Sequence, residues 1–118
     1  MGMAMLAMAI GAGAFGAHGL RGRLTPQALG LWETAARYLG IAALAVVAVG
    51  LAANVRPQPS WDLAAWALIA GGGVFAVTVG ALALGGPRWL GAVTPFGGVG
   101  MILGCILAAW TWCRSAAT

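Results

Sequence analysis

Residues 39–53 read Leu39-Gly40-Ile41-Ala42-Ala43-Leu44-Ala45-Val46-Val47-Ala48-Val49-Gly50-Leu51-Ala52-Ala53, with no side chain that ionises or donates a hydrogen bond. Upstream lies a more amphipathic stretch carrying Gln27, Glu33 and Arg37, and ahead of that Thr25-Pro26. A threonine followed by proline is the pattern of a helix N-cap with proline at the first helical position. Residues 26–54 therefore read as one helix, longer than the roughly 20 residues that cross a hydrocarbon core of about 30 Å. Strand alternation is absent, and backbone groups facing lipid must bond within their own segment.

Three further apolar segments flank this one. The first covers residues 3–20 and leads into a short basic connection with Arg21 and Arg23. Val55-Arg56-Pro57-Gln58-Pro59 cannot be helical throughout, because two prolines fall within five residues. Ser60 then reads as the cap of a third helix over residues 61–84, with Asp62 complementing its N-terminus. Gly85-Gly86-Pro87 breaks that helix, and Thr94-Pro95 repeats the cap-and-proline device to open a fourth over residues 95–113. The expected fold is an all-α membrane protein, a four-transmembrane-helix bundle forming one domain over residues 1–118.

Composition agrees. Of 118 residues 62% are hydrophobic and 7% charged, against about 25% charged in a soluble domain. The net charge of +4 comes from six Arg set against one Glu and one Asp. These arginines are scattered singly and form no basic stripe, which excludes a nucleic-acid surface. Ala12-Gly13-Ala14 mimics a signal-peptide cleavage site, but no basic side chain precedes the apolar run, so the segment is read as retained. Cys105 and Cys113 stand eight residues apart, about 12 Å along a helix. That is too far for a disulfide, and both are expected to be small buried apolar residues.

Arginine counting orients the chain. Arg21, Arg23 and Arg88, with Arg37 nearby, fall on one side, and Arg56 and Arg114 on the other. The positive-inside rule then places both termini on the non-cytoplasmic side of a bacterial inner membrane. Trp32, Trp61, Trp89, Trp110 and Trp112 lie near segment ends, where tryptophan prefers the headgroup level, while Trp66 is expected to pack between helices. Small residues share helix faces: Gly40, Ala43 and Gly50; Gly73, Ala76 and Gly80; Gly97, Gly100 and Gly104. Such stripes allow close backbone approach. They could seal the bundle or dock it against another protein. Gly71-Gly72-Gly73 has neither the preceding strand nor the following Lys of a phosphate loop.

Polar chemistry concentrates at one end. His18 ends the first segment, with Ala14 and Gly11 on its face at helical spacing. Glu33 and Arg37 stand at i and i+4 in the favourable order. With Arg21, Arg88 and Thr94 at the same membrane side, these residues are expected to meet in one interfacial cluster. Its reading is structural first, with a proton relay, a ligand site or axial ligation by His18 as alternatives.

Gly13-Ala14-Phe15-Gly16-Ala17-His18-Gly19-Leu20 resembles the N-terminal signature of the DUF423 family of small membrane proteins, which extends to TMEM-type mitochondrial relatives in eukaryotes. Arg88-Trp89-Leu90-Gly91-Ala92-Val93-Thr94-Pro95-Phe96-Gly97-Gly98 resembles its second signature, and Trp32-Glu33-Thr34-Ala35 with Tyr38 its start of helix two. The resemblance implies a four-helix membrane protein of uncharacterised molecular role. It also implies a histidine where this chain has Ala42, and a Ser-Gly-Ser-like stretch where it has Ala76-Val77-Thr78.

Three functions follow as expectations. The first is a structural or accessory subunit packed against a larger membrane complex, favoured by the scarcity of polar groups inside the membrane. The second is a small transporter or channel, for which Thr78 is the clear polar residue at mid-depth. The third is a pigment- or haem-binding subunit using His18, because Ala14-x-x-x-His18 superficially resembles a light-harvesting pattern. No enzyme is expected: a single histidine and two carboxylates placed at opposite membrane faces do not supply a catalytic constellation. No cofactor or metal is expected beyond bound lipid.

Overall fold

The hydroxyl of Thr25 accepts a hydrogen bond from the backbone N–H of Ala28 at 3.1 Å, so the helix beginning at Pro26 starts where its cap dictates. The computed structural model describes residues 2–20 and 22–117, the last two by backbone alone. It contains α1 (Gly2–Phe15), which continues as a π-helical turn (Gly16–Leu20), then α2 (Pro26–Val55), α3 (Ser60–Ala83) and α4 (Leu90–Ala117). Four helices are long and apolar enough to cross a membrane, and the described residues include no β-strand.

The helices run up and down, each packed on its neighbour in sequence, with α1 against α2, α2 against α3 and α3 against α4. Among the described residues α1 and α4 share no packed interface. The result is an open bundle one helix thick in places, 54 × 27 × 16 Å along its principal axes. The core lies along α2 and α3, where Ala42, Ala43, Ala64 and Leu68 are almost wholly buried and Trp61 and Met5 pack against them.

The α3–α4 contact is closest because three glycines meet there. A methyl group added at Gly71 would lie 2.6 Å from the backbone nitrogen of Met101 and 2.7 Å from the carbonyl oxygen of Gly97. One added at Gly97 would lie 2.6 Å from the nitrogen of Phe75. Gly100 faces Gly71, and Gly104 faces Leu68. Hydroxyls close the seam at both ends. Thr94 bonds Thr78 at 2.7 Å, and Thr78 donates to the Val74 carbonyl at 2.7 Å. Ser60 and Thr111 bond at 2.7 Å, and Thr111 donates to the Leu107 carbonyl at 2.8 Å. Each interhelical pair in a membrane contributes about 0.6 kcal/mol.

Several expectations need correction. Ser60 is the first residue of α3 rather than its cap, since its hydroxyl is engaged across the seam with Thr111. Thr94 does not cap α4, which begins at Leu90 and contains Pro95. The N–H groups of Leu90, Gly91 and Ala92 instead bond the carbonyls of Pro87, Arg88 and Trp89, a tight lead-in that starts the helix a turn earlier. Pro95, the sixth residue of α4, lies inside the helix and has no N–H for the i→i−4 bond to the Gly91 carbonyl. The fourth-helix stripe seals the bundle, but Gly50 and Gly73 face open space. Gly40 has only the Ala9 methyl near, at 3.5 Å, and Gly80 looks toward the Trp32 ring at 3.7 Å. Trp66 is 61% exposed and does not pack between helices. Cys105 and Cys113 are exposed on the outer side of α4, not buried.

Substituting Gly71 and Gly73 separates these roles. Gly71→Val should lower stability by about 1–3 kcal/mol, because α3 and α4 must part. Gly73→Val, where nothing lies within 4 Å, should change it by no more than about 0.5 kcal/mol. Unfolding titrations in detergent measure both.

Candidate functional site

The connections 22–25 and 84–89 lie at one end of the molecule, and the 56–59 connection lies with the C-terminal part of α4 at the other. The first end holds the expected polar cluster. His18, Glu33, Arg37 and Arg88 all have exposed side chains there. Among the described residues no hydrogen bond or ion pair joins any of them to another. Arg21 lies outside the described residues. Thr94 is drawn into the bundle by Thr78. The described members do not come together because Glu33 and Arg37 occupy the outward side of α2, while Trp32, Ala35, Ala36 and Leu39 line its inner side. His18 sits in the π turn, whose i→i+5 bonding underwinds the helix.

Polar residues do assemble at the other end, where the sequence reading placed no cluster. The Trp61 indole donates to the Arg56 carbonyl at 2.8 Å. The Arg56 guanidinium lies 4.8 Å from the Trp112 ring centroid, and that ring is tilted against Trp61 at 6.5 Å. Arg114 stacks on Trp110 at 4.3 Å and reaches Gln58 Oε1 at 3.4 Å. Both arginines at this end thus rest on tryptophan faces. Tryptophans and arginines crowding the same two segment ends were the available signal.

The described residues that enclose space lie beside Trp32. Its indole N–H donates to the Ala12 carbonyl at 2.8 Å, one turn before the π turn, and its ring meets Phe15 edge-on at 6.2 Å. A methyl group at Gly16 would lie 2.5 Å from Trp32 Cδ1, so the glycine of the Phe15-Gly16-Ala17-His18 signature makes room for the indole. Stapled in this way, Trp32 walls a groove of about 360 Å³ between α1, α2 and α3. Ala35, Ala36 and Gly80 form the buried floor, and Val77 and Leu84 the exposed rim. Because the indole N–H is already bonded, every lining side chain presents carbon. A smaller groove of about 210 Å³ lies between α3 and α4 beside Phe96. His18 lines neither.

The two positions at which the resemblance implies other residues have a physical setting. Ala42 is 1% exposed, and a methyl group on the facing Gly72 would lie 2.6 Å from its Cβ. An imidazole does not fit at Ala42 in this packing. Thr78 is 5% exposed and tied to Thr94 and to its own helix.

Removing the staple isolates its contribution. Trp32→Phe should lower stability by about 1 kcal/mol, the net value of one hydrogen bond. Trp89→Phe, at a ring 64% exposed, should leave it unchanged. Thermal unfolding of both variants in one detergent is the comparison.

Comparison with known proteins gives a consistent result. Residues 12–98 match the family described as "Protein of unknown function (DUF423)". The chain is 40% identical over 101 residues to a UPF0382 membrane protein of Staphylococcus epidermidis, covering 85% of this chain and 81% of that protein. It is 38% identical to one from Staphylococcus aureus and 37% to one from Staphylococcus haemolyticus, with the same coverage. No solved structure matches the chain. The matched region takes in both signatures, the Trp32 staple and the α3–α4 turn, and the chain belongs to the DUF423 family of membrane proteins.

Proposed function

We propose that this protein is a non-catalytic accessory subunit that packs against a larger membrane-protein complex in the bacterial inner membrane. The observation that carries the reading is the open, 16 Å-thin arrangement of the helices. The chain exposes 6971 Å², whereas a compact fold of 11.8 kDa exposes about 5,900 Å². The excess of roughly 1,000 Å² is surface for lipid or a partner to cover, and one partner contributes approximately 800 Å² to a stable interface. The exposed surface is studded with Leu44, Leu51, Val77, Ile102, Leu103 and Ile106.

A channel or transporter needs polar lining at mid-depth. The hydroxyls of Thr34, Thr78, Thr94 and Thr111 are engaged between α3 and α4 or with backbone carbonyls. That disposition favours packing over transport. In orientation, Arg23, Arg37 and Arg88 mark the cytoplasmic end, with both termini opposite.

Two measurements test these statements. A tagged copy solubilised in mild detergent should migrate on a native gel as a discrete assembly with stoichiometric partners identifiable by mass spectrometry. A lone monomer or small homo-oligomer overturns the subunit reading. A membrane-impermeant maleimide added to intact spheroplasts should label Cys113, exposed near the end of α4. Labelling only after the inner membrane is opened reverses the orientation.

A further inference from the structure

We infer that the groove beside Trp32 is a binding site for one anionic phospholipid, with an acyl chain along the groove and the headgroup among the arginines at its open end. Shape, lining and charge each support this, independently of the subunit reading. On α2 the groove extends from Trp32 to Leu39, and on α3 from Leu84 back to Ala76. At 1.5 Å per residue both edges run about 10–12 Å along the helix axes. The cleft is therefore elongated in the direction that an acyl chain takes in a bilayer.

The lining excludes a polar occupant. The one side-chain donor in the wall, the Trp32 indole, is bonded to the Ala12 carbonyl. The floor of Ala35, Ala36 and Gly80 is deep because no side chain there extends beyond a methyl group. A volume near 360 Å³ is within the range of built small-molecule pockets.

Charge decides the headgroup. The groove ends at Leu84, and Arg88 follows four residues later in the exposed connection. Arg23 is exposed in the other connection at the same end. Neither of these two guanidinium groups has a hydrogen-bond, ion-pair or cation–π partner among the described residues, with Glu33 the only carboxylate in α2. At the far end, by contrast, Arg56 and Arg114 are stacked on Trp112 and Trp110. The unengaged cations thus lie at the end where the apolar groove opens. Juxtamembrane arginines attract anionic headgroups in this way.

Native mass spectrometry of the delipidated protein titrated with phosphatidylglycerol or phosphatidylcholine of identical chains tests the site. One phosphatidylglycerol should bind per chain, about five-fold more tightly than phosphatidylcholine. Arg88→Gln should abolish that preference while leaving a lipid bound. Gly80→Leu, whose side chain extends toward Trp32 from 3.7 Å away, should prevent binding of both lipids. Gly73→Leu, in open space, should bind as the unmodified chain does. Inorganic phosphate, which carries charge without chains, should not displace the lipid. Equal affinity for the two lipids, retained preference in Arg88→Gln, or displacement by phosphate would each overturn the assignment. If Gly80→Leu fails to fold, the Arg88→Gln comparison decides alone.

Discussion

Two apolar helices gain little by leaving lipid for one another, because the hydrocarbon they leave is as apolar as the surface they meet. Whatever holds this chain together must come from close approach and from the few hydrogen bonds available. The meeting of Gly71, Gly97 and Gly100 satisfies that requirement: α carbons, amides and carbonyls of α3 and α4 come within van der Waals range because none carries a side chain. The hydroxyl pairs Thr78–Thr94 and Ser60–Thr111 close the two ends of the same seam. Away from it the packing loosens, with the floor of the Trp32 groove made by residues too small to fill the space between α2 and α3.

Much of the architecture was legible in the sequence, since length and apolarity fix how many times a chain crosses a bilayer. The Thr25-Pro26 start of α2 was readable for the same local reason. The outwardly identical Thr94-Pro95 was misleading because its hydroxyl has a competing partner on another helix, information that no local pattern carries. Glycine stripes were legible as stripes but not as faces. Gly73 and Gly71 are two residues apart, and only the tertiary rotation of α3 decides which of them meets α4. Charged residues were least legible. The i,i+4 spacing of Glu33 and Arg37 is compatible with a pair that the structure leaves open, while Arg56 and Trp112 lie far apart in sequence and meet.

The two ends of the molecule handle positive charge differently. At one, guanidinium groups lie over indole rings and are held in place. At the other they stand free in connections or on an outward helix face beside an apolar cleft. The chemical asymmetry across the membrane is therefore greater than the simple arginine count conveys.

The order of packing also bears on how the chain assembles. Because each helix lies chiefly against the one before it, no element waits for a distant segment to be synthesised before it finds a partner. In chain order, α2 has its partner in α1, α3 in α2, and α4 in α3. Local connectivity of this kind lowers the entropic barrier to folding. It suits a protein delivered to the membrane one hairpin at a time, with the tightest contact made last.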